Sequence, residues 1–211
     1  MTRYDHTRRL GAELLVIVTG VLLALGAQAG LEEWSERRRE HEFMVDLLEE
    51  FRLNEARLLA DIEFTRAAVT ASELWRDGVA SGSVSADSLA VLYAASLNSA
   101  RFDPISGSLR SLIDGGDLGL IRNSTLRAKL AGWPDRAEEH RMTANAVDMI
   151  RVNLTPLIIG SGRLPPIGAL ELDRLNLSVM SEQQSDLLEP LREIISMLDR
   201  ELGGWSDDGA T

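Results

Sequence analysis

Acidic and basic side chains are interspersed between residues 102 and 134, where their types and spacing could form a polar binding or reaction site. Three aspartates and three arginines lie in this stretch, namely Asp103, Arg110, Asp114, Asp117, Arg122 and Arg127. Each of them also has a structural interpretation as a turn residue, a helix stop or one half of an ion pair. We favour the structural interpretation, so this stretch is a candidate site without an assigned reaction.

A helical chain rich in carboxylates raises the hypothesis of a di-metal centre, which needs Glu-x-x-His pairs that place both ligands on one turn. The residue three positions before each histidine is an arginine or an alanine, so no such pair exists. The three histidines are His6, His41 and His140. The chain has no cysteine, which excludes thiolate catalysis and cysteine-ligated zinc or iron–sulfur clusters. No metal site is predicted.

The sequence also lacks the motifs of the common enzyme classes. It has no Gly-x-Ser-x-Gly elbow and no phosphate-binding loop, and the glycines Gly115, Gly116 and Gly119 match no dinucleotide fingerprint. Three scattered histidines and no cysteine leave no visible nucleophile–base pair. The sequence therefore predicts neither an enzyme nor a bound cofactor.

The charge balance limits the kinds of partner that the chain can have. A formal net charge of −11 over 211 residues argues against a nucleic-acid binder, which needs a basic face. Almost every basic residue is arginine, with Lys129 the only lysine, which is typical of a GC-rich bacterial genome. A chain of this length holds one domain of ordinary size with its own core.

An uncharged apolar stretch, LLVIVTGVLLALGAQAGL, covers residues 14–31. At about 1.5 Å per helical residue it is long enough to cross most of the bilayer's hydrocarbon core, which is about 30 Å thick. Trp34 follows at the depth where aromatic side chains favour the headgroup region. The sequence predicts a transmembrane helix over 14–31 with Trp34 as its interfacial anchor.

A cleaved export signal is the alternative interpretation of this stretch. Residues 14–25 have the length of a signal-peptide core, and Ala27-Gln28-Ala29 is a small-x-small cleavage pattern. An uncleaved anchor is favoured because the uncharged stretch continues to Leu31. Arginines lie closer to its N-terminal edge than to its C-terminal edge, which favours a cytoplasmic N-terminus. We therefore expect a single-pass protein of the bacterial inner membrane with a periplasmic C-terminal domain.

One side of the predicted transmembrane helix carries small residues. Glu13, Gly20, Ala24 and Ala27 are separated by seven, four and three positions, which places them in one narrow stripe. Small residues let membrane helices approach closely, so this stripe is a candidate face for self-association into a homo-oligomer. The alternative is a plain anchor, because glycine and alanine are frequent in membrane helices.

The rest of the chain is predicted to be helical. We divide it into a short tail over 1–13, a charged helical stalk over 32–43, a helical bundle over 44–204 and a disordered tail over 205–211. The stalk is polar on every face, with the i,i+4 pairs Glu33–Arg37 and Arg38–Glu42. The predicted fold is all-α, in which the transmembrane helix continues into the long stalk helix and an irregular antiparallel bundle.

Apolar spacing sets the predicted helices of the bundle, and no alternating strand pattern of useful length appears. Ser85, Ser106 and either Asn123 or Ser124 are the predicted N-caps. The first helix should end at Asp77-Gly78, and two short helices with a buried connector should fill 102–134, with Trp133 in the lid of the core. Further helices are predicted over 135–159 and 185–202, with a long loop over 160–177.

Two groups of residues resemble a bacterial family that is catalogued only as a domain of unknown function. The first group is Glu13, Gly20, Ala24-Leu25, Trp34, Glu36-Arg37 and Asn54. The second is Phe102-Asp103-Pro104, Gly107, Leu112, Gly116, Leu120-Ile121, Asn123, Leu126-Arg127 and Trp133. The resemblance implies an uncleaved N-terminal transmembrane helix with a helical remainder, and it assigns no catalytic residue.

Two functional hypotheses follow from the sequence. The first is a membrane-anchored helical module whose bundle, held off the bilayer by the stalk, binds another protein. The residues quoted above within 102–134 form a structural or interaction motif. The second is a ligand-sensing extracytoplasmic bundle, resembling chemoreceptor ectodomains, that acts through a signalling partner. An exposed apolar face on the bundle favours the first, whereas a crevice lined by convergent polar groups favours the second.

Overall fold

A computed structural model describes the backbone of residues 3–98, 100–159 and 167–208, and the side chains of 17–98, 100–150, 152, 168 and 171–205. Every regular element in these ranges is helical, which confirms the predicted all-α fold. A 3-10 turn, Asp117–Leu120, lies between the third and fourth helices. The α-helices are α1 (Arg3–Ser81), α2 (Ala86–Ser96), α3 (Gly107–Asp114), α4 (Ser124–Ile159) and α5 (Ile167–Asp208).

Contacts between residues divide the chain into two units, Met1–Phe43 and Met44–Thr211. The first unit holds the predicted stalk, where Arg37 bonds Glu33 at 2.9 Å and Arg38 bonds Glu42 at 3.0 Å. The guanidinium of Arg38 also lies 5.8 Å from the centre of the Trp34 ring. These exposed local pairs support helix without burying a face.

The predicted membrane-spanning segment also lies in the first unit. Among the residues whose side chains are described, no helix has a stretch long and apolar enough to cross a membrane. The predicted segment starts at residue 14, and residues 14–16 lie outside this described part, as does Glu13 of the predicted packing face. Its other members, Gly20, Ala24 and Ala27, are exposed, and a Cβ added at Gly20 would meet no atom within 4 Å.

The second unit is built on three long helices, of which α1 and α4 both run antiparallel to α5. Arg52 and Arg192 make ion pairs that join α1 to α5, and Lys129 joins α4 to α5. Phe51 of α1 packs against Trp133 of α4 with ring centres 5.4 Å apart. The core between the helices consists of Met44, Leu47, Phe51, Leu58, Leu109, Leu112, Ile121, Leu126, Leu130, Trp133, Leu177, Leu191 and Leu198.

The first long helix ends later than its glycine pattern predicts. Gly78 was the expected stop, but α1 continues to Ser81 and ends at Gly82, whose φ of +65° is the left-handed conformation that glycine favours. Gly78 lies instead in close contact with α2 and the turn before it, because a Cβ there would come within 2.9 Å of Val84 and 3.0 Å of Leu89. The glycine at 78 serves helix packing, and the glycine at 82 serves the turn.

Two other boundaries also differ from the prediction. A break was expected at Gly132-Trp133-Pro134, but α4 is continuous from Ser124 to Ile159 because Leu126, Leu130 and Trp133 form one buried stripe. Their combined burial outweighs a proline in a helix, which costs about 3 kcal/mol. The predicted loop over 160–177 is helical from Ile167, directly after Pro165-Pro166, and Pro190 lies inside α5. Residues 160–166 lie outside the described part.

Replacing Trp133 with alanine should lower the free energy of unfolding by about 3 kcal/mol or more, because this side chain is only 2% exposed and its removal leaves a large cavity. Chemical denaturation of the full chain measures the change. Trp34→Ala is the matched control, since Trp34 is 61% exposed and little packing is lost. An unchanged midpoint for Trp133→Ala contradicts the prediction.

Candidate functional site

Asn54 of α1 fixes the irregular segment that precedes α3. Its side chain is fully buried, its Nδ2 donates to the Ile105 carbonyl at 2.7 Å, and its Oδ1 accepts from the Ile105 N–H at 2.8 Å. One amide thereby pairs with both backbone groups of one residue, as a neighbouring strand does. The segment from Phe102 to Ser106 is therefore held against α1 without regular structure of its own.

Glu50, one turn before Asn54, caps the N-terminus of α3. Its Oε2 accepts from the Ser108 N–H at 2.6 Å and its Oε1 accepts from the Leu109 N–H at 3.3 Å. A carboxylate satisfies these unpaired N–H groups and interacts favourably with the helix dipole. Ser106 occupies the N-cap position but makes no side-chain cap bond, so its predicted capping role was wrong.

Three residues of the predicted motif shape the connector between α3 and α4. Gly116 ends α3 with a φ of +73°, and Asn123 Oδ1 accepts from the N–H groups of Thr125 and Leu126 at 3.0 Å. The N-terminal cap of α4 is thus Asn123, one of the two predicted alternatives. Arg127 Nη1 donates to the Ile121 carbonyl at 2.7 Å. Each of these three residues therefore has a structural role in the connector.

A cleft of about 370 Å³ opens between α3, the segment before it and the first half of α4. Its floor is apolar, and buried Leu109 and Trp133 lie beneath it. We call this site the α3–α4 cleft, and its lining consists of Asp103, Pro104, Ser106, Leu109, Arg110, Ile113, Asp114, Trp133, Pro134, Ala137, Glu138 and Arg141. Its size and its apolar floor with a polar rim suit a small ligand or one side chain of a partner.

The rim of the cleft carries both signs of charge. Arg141 donates two hydrogen bonds to Glu138, at 2.7 and 2.5 Å, and these bonds lower the pKa of the Glu138 carboxyl. Arg110 and Asp114 lie four residues apart on α3, yet their side chains make no hydrogen bond or ion pair within the described part of the chain. The cleft therefore offers a guanidinium and a carboxylate that are not paired with each other.

The structure brings only part of the sequence-predicted site together. Asp103, Pro104 and Trp133 line the cleft, as do Arg110 and Asp114 of the polar set. Phe102 is buried against His140, while Gly107, Gly116, Asn123 and Arg127 hold the surrounding turns. Glu138 and Arg141 carry no distinctive sequence signal, because an i,i+3 ion pair is equally common on any solvated helix surface. Asp117 and Arg122 do not line the cleft.

A second candidate surface lies on α1, opposite its core-facing stripe. Six residues at helical spacing are all exposed there, and the large ones, Leu53, Phe64 and Leu74, are 49–54% exposed. We call this row the outer face of α1, and it consists of Leu53, Ala56, Ala60, Phe64, Ala67 and Leu74. Scattered exposed apolar residues are ordinary, but several at helical spacing on one side of a helix are typical of an interaction surface. The row is interrupted between Ala67 and Leu74, where Ala71 is only 7% exposed.

His140 lies beside a smaller cavity, of about 240 Å³, between α4 and α5. It is 5% exposed, and neither ring nitrogen makes a hydrogen bond to the described part of the chain. Burial lowers the pKa of this imidazole, because the charged form loses its hydration. Arg136, Glu139 and Asp186 are the charged groups that line the cavity. Across the described side chains, no three His, Asp or Glu residues lie close enough to hold a metal ion.

Comparison of the chain with protein-family models, with curated proteins and with solved structures finds no match to any of them. The features of the chain that bear on its function are the α3–α4 cleft, the outer face of α1 and the sequence of the N-terminal segment.

Lowering the pH from 7 to 5 should destabilise the protein through His140. The unfolded imidazole takes up a proton near pH 6.5, whereas the buried one resists it, so stability falls as the pH drops through this value. The slope for one such group is at most about 1.4 kcal/mol per pH unit. Denaturant midpoints across this range should show a steeper loss for the natural chain than for His140→Phe, which cannot titrate. Parallel pH profiles contradict the prediction.

Proposed function

We propose that this protein is a membrane-anchored helical module that binds another protein. The single observation that supports this function best is the outer face of α1, an exposed apolar row on a helix whose opposite face is already buried. Helices that bury one apolar face in their own core gain nothing from a second one unless a partner covers it.

Interaction with a helix of the partner is the form of binding that this surface favours. Leu53, Phe64 and Leu74 supply large apolar side chains, and the alanines between them leave room for close approach. Anchors at i, i+3, i+4 and i+7 spacing are the pattern of helix-to-groove and helix-to-helix recognition. A few well-packed residues near the centre of a contact carry most of the binding energy in protein interfaces.

The membrane anchor in this proposal is the helical segment over 14–31. Its support is the run of eighteen residues without a formal charge, together with apolar side chains that are exposed around most of the helix circumference. Those side chains are Ile17, Val18, Val21, Leu22, Leu23 and Leu25, each at least 48% exposed. A lipid environment covers such side chains without a protein partner. We further propose that this membrane is the bacterial inner membrane and that the helical bundle is periplasmic. We also propose that the chain is related to the bacterial family that it resembles.

Ligand sensing is the second candidate function, and the α3–α4 cleft is the observation that favours it. Arg110 and Asp114 present opposite charges above the apolar floor formed by Leu109 and Ile113. A sensor of this design transmits binding through a signalling partner. The two functions differ in the surface that the partner needs, which makes them separable by mutation.

Membrane retention is expected to survive an alkaline carbonate wash, because an apolar helix in lipid is not released by the loss of charge interactions. The measurement is the intact mass of the pelleted full chain. Recovery of a soluble species that begins at Gly30 contradicts the anchor and identifies a cleaved export signal instead.

The substitutions Leu53→Glu and Phe64→Glu should each reduce capture of the partner about tenfold or more, because each would bury a charge in an apolar contact. The assay is crosslinked co-purification from native membranes, quantified for each variant against the natural chain. Val91→Glu on α2 is the matched control, since Val91 is 69% exposed and lies outside the outer face.

The same assay separates the two candidate functions. Arg110→Glu inverts a charge on the rim of the cleft and leaves the outer face of α1 unchanged. Capture that is lost with Arg110→Glu and kept with both outer-face variants contradicts the interaction surface on α1, and it moves the function to the cleft.

A further inference from the structure

Two rows of exposed apolar side chains lie toward the C-terminal end of α4 and the N-terminal end of α5. Three residues of α4 are 62–69% exposed, and three of α5 are 43–47% exposed. We call these six residues the end rows, and they are Met142, Met149, Val152, Leu172, Leu175 and Val179. The antiparallel helices α4 and α5 pack through Ala144, Val147 and Met180, so both rows lie at the same end of this helix pair.

Each row faces away from the buried side of its own helix. At 3.6 residues per turn, a residue two positions from a buried one lies roughly 160° away from it around the helix. Met149 has this relation to buried Val147, and Leu175 and Val179 have it to buried Leu177. The apolar side chains of the end rows are therefore additional to those that hold the helices together.

The sequence that joins the two rows differs in charge from the rest of this acidic chain. Residues 149–170 contain no aspartate or glutamate, and no other stretch without an acidic residue is as long, although the chain has 33 acidic residues. The two charged residues in this stretch are both arginines, Arg151 and Arg163. The local charge is therefore positive, whereas the formal net charge of the whole chain is −11.

An anionic lipid surface matches this combination of apolar and basic residues. Exposed apolar side chains of a helix enter the boundary between headgroups and acyl chains, and arginines are attracted to anionic headgroups. The same headgroups repel the rest of a chain that carries an excess of negative charge, so the stretch without acidic residues is the part that can approach them. Fluid acyl chains can also cover rows on two helices at once, whereas a protein helix packs against one face.

We propose that the end rows of α4 and α5 dock on the surface of an anionic lipid bilayer. The contact is interfacial, in which apolar side chains enter the headgroup region and the helices do not cross the bilayer. This inference goes beyond the proposed function, because it uses neither the outer face of α1 nor the segment over 14–31.

Single labelled cysteines test the contact at each row, because the natural chain has no cysteine. Met149→Cys and Leu175→Cys place one thiol in each row, and Val91→Cys on α2 is the control, since Val91 is 69% exposed and lies outside the rows. Each full chain carries a fluorophore on its thiol and is held in a phosphatidylcholine disc. Vesicles that contain phosphatidylglycerol and a quencher attached to their lipids are then added. Quenching is expected at positions 149 and 175 and not at position 91.

Three results of this experiment overturn the proposal. The first is the absence of quenching at either row position. The second is equal quenching at the control position, which shows adsorption without a defined surface. The third is equal quenching by vesicles of phosphatidylcholine alone, which removes the role of the anionic headgroups.

Flotation of the disc-held chain with the same vesicles measures how much each side chain contributes to binding. Met149→Glu and Leu175→Glu should each weaken vesicle binding about threefold to tenfold, because a carboxylate is repelled by the headgroups and does not enter the apolar region. Arg151→Glu should have an effect of similar size. Arg136→Glu is the matched control, since it makes the same charge change at an exposed position of α4 outside the stretch without acidic residues. Equal binding by the two arginine variants overturns the proposal.

The experiments also separate this inference from the proposed function. Docking on vesicles through the end rows, in a chain that captures no protein from membranes, supports this inference and contradicts the interaction module. Capture of a protein that is lost with Met149→Glu and Leu175→Glu, while both row labels stay unquenched by vesicles, overturns lipid as the occupant and assigns the end rows to a protein partner.

Discussion

The second unit depends on the pairing of one buried amide. Asn54 lies fully buried on α1, and a buried amide needs hydrogen-bond partners for both its oxygen and its nitrogen. The N–H and the carbonyl of Ile105 supply them. That contact holds the segment before α3 in place. Glu50, one turn before Asn54 on α1, then accepts hydrogen bonds from the backbone N–H groups at the N-terminus of α3. Together with the buried Leu109 and Leu112, these two side chains fix the position of α3, which forms one wall of the α3–α4 cleft.

Local chemistry explains why much of the fold was predictable. Apolar residues at helical spacing identified the helices, and Ser85 was correctly expected to cap α2, since its hydroxyl accepts from the Ser88 N–H at 3.2 Å. The left-handed Gly116 and the cap at Asn123 also have signals within a few residues. The wrong predictions concern glycine and proline. Gly78 and Pro134 predict helix ends, but burial of the neighbouring side chains keeps both helices continuous.

The candidate site was less predictable because its contacts are long-range. Glu50 accepts a hydrogen bond from Ser108 and Asn54 bonds Ile105, and the residues of each pair lie more than fifty positions apart in sequence. No local sequence pattern predicts either pairing. The cleft joins Asp103 and Arg110 to Glu138 and Arg141 of another helix in the same way. The outer face of α1 is different, since its residues are close in sequence. Its spacing was visible, but its exposure depended on which side of α1 the rest of the bundle covers.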